Sequence, residues 1–144
     1  MRKAITIVLL CIFMCKLSAQ TETEISYVGN SGFLIKIGDK KILIDALFKG
    51  FAGDYILPEQ IQEKLTLAQA PFDDLDLVLV THAHGDHIDV AMVKEHMKNN
   101  PKTMFASTKQ MVDALNARDT LDNFQERRIG FNPSKEKSDI MNIQ

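Results

Sequence analysis

The chain has 144 residues, 45% hydrophobic and 25% charged, with a formal net charge of −2. This length supports one ordinary core rather than two. The slightly acidic balance argues against general nucleic-acid binding, which needs a basic surface to meet phosphate.

Arg2 and Lys3 make a basic start, Ala4 to Cys15 an almost wholly apolar stretch, and Leu17-Ser-Ala19 a small-residue site. Residues 1–19 therefore read as a secretory signal peptide, too short in its apolar part for a comfortable membrane span of about 20 residues. Leu17 is an imperfect residue before a cleavage site, so an uncleaved anchor stays open as an alternative. Cleavage after Ala19 removes Arg2, Lys3, Lys16 and both cysteines, Cys11 and Cys15. The mature chain is then more acidic, has no disulfide, thiolate ligand or stable membrane span, and is expected to be periplasmic or secreted.

Residues 25–37 and Lys41 to Asp45 read as strands joined by a Gly38-Asp39 turn. Phe33, Ile35 and Ile37 alternate with Leu34 and Lys36, giving one strongly apolar face. Pro58 followed by Ile61, Leu65 and Ala68 predicts a short amphipathic helix whose apolar stripe belongs to the core. The acidic trio Asp73, Asp74 and Asp76 precedes the next strand and reads as a solvated loop. Leu75-Asp-Leu-Val-Leu-Val80 has the composition of a buried α/β strand, and Ile88 to Asn99 carries helical spacing that Pro101 blocks. His96 within that helix reads as a structural histidine. Lys102 to Ser107 predicts a strand, Thr108 to Ala117 a helix capped by Ser107 or Thr108, and residues 123–130 one more short strand. Arg127-Arg128 is a basic patch too small to offset the acidic balance. No internal repeat or second domain is evident: residues 20–131 read as one domain, and 132–144 as a polar, poorly ordered end.

Between the strand at Val80 and the helix lies Thr81-His-Ala-His-Gly-Asp-His87, which holds three of the chain's four histidines. It occupies a strand-to-helix turn at a strand's carboxyl end, where open α/β sheets place their sites. Neutral imidazole and carboxylate are the ligands of a catalytic zinc site that keeps one position for water. His82 and His84, two apart, can point to one side of an extended or looping backbone and clamp one ion. Asp86 and His87 approach that ion or a second, with Gly85 allowing the chain to turn between the pairs. The alternative reading is a solvated histidine-rich turn or an adventitious metal site.

His82-x-His84-x-Asp86-His87 after an apolar strand resembles the signature motif of the metallo-β-lactamase superfamily, and Thr81 fits its common form. The opening strands and the region around Leu57 to Leu65 are similar to the lactonase-like branch. The resemblance implies an α/β fold, the N-terminal half of a four-layer αββα architecture. It also implies a metal-dependent hydrolase with a small-molecule substrate. His82, His84, Asp86 and His87 would hold one or two Zn2+, with Mn2+ or Fe as alternatives. Metal-bound hydroxide would attack an ester, lactone, amide or phosphoester, and Asp86 would orient the water as the catalytic carboxylate. Asp45 matches a position that supports the ligands in this family.

The same resemblance places a further histidine, a bridging aspartate and a final histidine in a second half, whereas no histidine follows His96. The likeness covers about residues 24–131, so the expected architecture is truncated. Three alternatives remain: an exported hydrolase, an inactive truncated relative with at most weak metal binding, and a half-domain that pairs with itself or with a partner supplying the missing half.

Overall fold

The computed structural model describes residues 21–51, 53, 55–118 and 124–132. The expected signal segment and all but Asn132 of the C-terminal end lie outside them. Strands β1 (Thr23–Gly29), β2 (Gly32–Ile37) and β3 (Lys40–Ile44) form an antiparallel meander. Gly38 makes the β2–β3 turn at φ +60, a conformation glycine adopts without steric cost. A small hairpin, β4 (Gly50–Phe51) and β5 (Tyr55–Ile56), leads into helix α1 (Glu59–Thr66). Then β6 (Leu77–Val80), α2 (Val90–Asn99), β7 (Met104–Thr108) and α3 (Lys109–Arg118) alternate, and a 3-10 turn at Gln125–Arg127 precedes β8 (Arg128–Phe131). The six-stranded sheet runs β1-β2-β3-β6-β7-β8, with β3, β6, β7 and β8 parallel. The α/β class expected from the sequence is the one observed.

Helix α2 begins two residues later than its apolar spacing suggests. Ile88 instead makes a parallel bridge to Leu47, and Asp89 caps the helix by accepting the Met92 N–H at 2.9 Å. Helix α3 is capped by Thr108, whose Oγ1 accepts from the Met111 N–H at 3.3 Å.

One sheet face carries Leu34, Leu43, Val78, Val80 and Phe105 into a core with Leu65 of α1, Met92, Val93 and Met97 of α2, and Met111, Val112 and Leu115 of α3. The opposite face shows two register rows: Ile25, Ile35, Ile42, Leu77 and Met104, then Tyr27, Phe33, Ile44, Leu79, Ala106 and Ile129. Of these, Ala106 is buried, most are half-buried, and Ile25 and Tyr27 at the β1 edge are 64% and 63% exposed. The more apolar face of β2, with Phe33 and Ile37, is thus the one left exposed, while Leu34 on its other face is buried.

Two polar features differ from the sequence reading and a third agrees with it. The acidic loop is tied down: Asp76 accepts the Lys41 N–H at 2.8 Å and pairs with Lys40 at 2.9 Å, and Asp73 pairs with Lys41 at 3.1 Å. Burial opposes ionisation of Asp76, but the Lys41 amide and the Lys40 ammonium outweigh it and hold the carboxyl below its usual range. Arg127 is no free patch residue, since its guanidinium donates to the carbonyls of Met97 in the last turn of α2 and of Asn100 and Thr103 just past it. His96 is structural as expected, and fully buried. Its Nδ1–H donates to the Leu65 carbonyl, and Nε2 accepts from Asn100 Nδ2 at 3.0 Å.

Candidate metal centre

The histidine loop leaves the carboxyl end of β6 and is held from two directions. Behind it, the Asp89 N–H donates to Leu47 O at 2.6 Å, and the N–H groups of His87 and Ile88 fold back onto His84 O at 2.9 and 3.1 Å. At its start, Asp45 Oδ1 accepts the Thr81 N–H at 2.8 Å, and Oδ2 accepts the Thr81 hydroxyl at 2.7 Å. Asp45 follows the last residue of β3 and is 4% exposed, with a left-handed φ of +44. Such backbone is uncommon outside glycine, least so for Asn and Asp. It turns the carboxylate off the end of the sheet and under the loop.

These anchors bring three of the four expected ligands together. One atom each from His82, His84 and Asp86 lies within 4.8 Å of the others. Around a tetrahedral ion with bonds of about 2.1 Å, ligand atoms sit roughly 3.4 Å apart. Closing the group onto one ion therefore asks for shifts on the order of 1 Å, which the exposed loop and the exposed His84 permit. His87 stands outside this trio but beside it, with Nε2 at 3.4 Å from Asp86 Oδ2. Its Nδ1 is 3.1 Å from Asp45 Oδ2, close enough for ion pairing but without hydrogen-bond alignment. The donor set of imidazoles and one carboxylate suits a divalent transition metal, and Asp86 is the member of the trio whose carboxylate also lies beside His87.

Asn30 is a neighbour that sequence reasoning missed. From the β1–β2 turn, at φ +47, its Nδ2 donates to Asp86 O at 3.0 Å and reaches Asp86 Oδ2 at 3.5 Å. The expected strand region 25–37 is broken by this turn, and nothing in the sequence sets Asn30 beside a loop 56 positions later.

A concavity of about 850 Å3 lies elsewhere. It is lined by residues at the starts of β6 and β7, among them Asp76, Leu77 and Met104, whereas the histidines follow the end of β6. Residues, not cavity size, identify this site.

The chain matches the Beta-lactamase superfamily domain over residues 40–140. It belongs to the metallo-β-lactamase superfamily. Among relatives of this superfamily member, a UPF0173 metal-dependent hydrolase of Thermococcus kodakarensis is 39% identical over 69 residues, 48% of this chain and 25% of that protein. Another from Pyrococcus abyssi is 42% identical over 65 residues, 45% of this chain and 24% of that protein. Among solved structures, Igni18, a metallo hydrolase from Ignicoccus hospitalis, is similar at 28% identity with a TM-score of 0.48, covering 76% of this chain and 40% of that one. The matched part of the chain spans about a quarter of the length of these curated relatives.

Proposed function

We propose that this chain carries the cation-binding loop of an exported, zinc-dependent hydrolase, with His82, His84, Asp86 and His87 as ligands. The observation that carries the reading is the convergence of His82, His84 and Asp86 at the carboxyl end of β6 in a chain of this superfamily. Its relatives are named metal-dependent hydrolases, which supports hydrolysis of a small molecule containing an ester, lactone, amide or phosphoester bond. His82, His84, Asp86 and His87 would hold a divalent cation, which would supply a more acidic bound water and polarise the scissile bond. Asp86 would orient the attacking water through its carboxylate, and Asn30 holds the backbone of Asp86 by donating to its carbonyl at 3.0 Å. Asp45 and Thr81 fix where the loop leaves the sheet. Export rests on the pattern of residues 1–19. Among the described residues, no helix is long and apolar enough to cross a membrane.

Metal content of the purified chain, measured by elemental mass spectrometry, tests the reading. Roughly one or two zinc ions per chain are expected, lost from the His82→Ala/His84→Ala double variant. Equal metal in both proteins refutes the assignment, and hydrolysis undiminished in His84→Ala refutes the catalytic part.

A second reading is favoured by one observation, the exposure of Ile25, Tyr27, Phe33 and Ile37 at the β1–β2 side of the apolar sheet face. In it the chain is a half-domain that binds another sheet, its own copy or a partner, and works as a composite. Sedimentation as a monomer at all concentrations argues against self-pairing.

A further inference from the structure

Thr81 stands between two groups that both need its hydroxyl. Its Oγ1 lies 2.7 Å from Asp45 Oδ2, to which it donates, and 3.0 Å from His82 Nδ1. A threonine hydroxyl has one hydrogen and two lone pairs. With the hydrogen given to Asp45, Oγ1 can only accept from the imidazole. We propose that Thr81 is a positioning residue that fixes His82 with its hydrogen on Nδ1, leaving Nε2 as the only nitrogen able to offer a lone pair to a cation.

A neutral imidazole free in water holds its hydrogen on either nitrogen, and the bond made by one nitrogen decides the role of the other. Here the deciding partner is held on both sides. Asp45 is buried at the strand end and binds Thr81 twice, through the backbone N–H and the hydroxyl. The hydroxyl is thereby kept from rotating its hydrogen towards His82. Asp45, Thr81 and His82 form a three-member relay in which a carboxylate acts on a ligand it does not touch. Supports of this kind orient metal-binding histidines and strengthen binding by about 10- to 100-fold.

The role in metal binding rests on the proposed cation site, but the position of the hydrogen can be read without any cation. Long-range 15N–1H correlation spectra of the metal-free full chain, labelled at histidine and at a pH where the ring is neutral, distinguish the two forms. The His82 signal is assigned by its loss in His82→Gln. The expected result is hydrogen on Nδ1 in the wild type and in Thr81→Ser, which keeps the hydroxyl, and a mixture in Thr81→Val, which keeps the shape and the backbone N–H. Competition with a chelator should then show Zn2+ bound about 10-fold more weakly by Thr81→Val, with Thr81→Ser near the wild type. Hydrogen on Nε2 in the wild type, or a Thr81→Val spectrum identical to it, overturns the relay. A changed spectrum with unchanged Zn2+ affinity overturns the positioning role. If no form binds Zn2+ while the spectra behave as expected, the cation-site reading fails and takes that role with it, while the relay stands as a structural hydrogen bond.

Discussion

Replacing Asp45 tests whether the loop is held by the carboxylate, by the backbone turn beneath it, or by both. Asp45→Ala removes two hydrogen bonds to a group 4% exposed, those from the Thr81 N–H and hydroxyl. Bonds to a charged partner contribute about 1.5–3 kcal/mol each. Thr81 is itself exposed, so water recovers part of the loss, and the low end of that range applies to both. The expected cost of Asp45→Ala is about 3 kcal/mol. The second variant, Asp45→Gly, loses the same bonds but relieves the left-handed φ of +44. That conformation costs an L-residue roughly 1–2 kcal/mol, against about 0.5–1 kcal/mol for the greater freedom of an unfolded glycine. Asp45→Gly should therefore be more stable than Asp45→Ala by about 0.5–1 kcal/mol. Urea unfolding of the full chain with a chelator present, compared at equal m-values, measures both differences. An Asp45→Ala loss below about 1 kcal/mol would show that the carboxylate bonds do not hold the loop. A glycine variant no better than alanine would show that the turn stores no strain.

Two further outcomes follow from the interior. Burial pushes the His96 pKa below its usual 6.5, the bond to Leu65 only partly opposing it, so the unfolded chain takes up this proton first as pH falls. The corresponding stability is complete above about pH 6.5 and is lost as pH falls towards the lower folded value. Urea midpoints between pH 8 and pH 5 should decline in the wild type and decline less in His96→Gln; parallel curves would remove His96 as the cause. Phe105→Ala, at a fully buried position in β7, should cost about 3–5 kcal/mol with the secondary structure retained, as measured by circular dichroism and thermal unfolding.

Period and composition made the elements legible, and local chemistry made the loop legible. The four-residue run at β6, the spacing of α2 and the paired histidines all involve neighbours in sequence. What stayed hidden depends on distant partners. Ile88 carries a helix-like apolar position, yet its bridge to Leu47 holds it in extended backbone and moves the helix start to Val90. Arg127 resembles a surface cation until the carbonyls at and beyond the end of α2 come within reach. Asn30 is an ordinary turn residue until the meander folds beside the loop. In β2, alternation revealed two faces but could not say which would meet the helices: Leu34 does, and Phe33 with Ile37 does not.

That last inversion governs how the protein behaves as a solute. The full chain's net charge of −2 offers little mutual repulsion between molecules that expose Ile25, Tyr27, Phe33 and Ile37 along one side of the sheet. Colloidal stability should therefore be poorest where acidification cancels the remaining charge, and salts that strengthen apolar association should precipitate the chain readily. This overlaps the pH range in which His96 weakens the native state. A turbidity threshold that moves with protein concentration marks self-association, whereas the unimolecular loss of folding does not depend on concentration, so a dilution series separates the two.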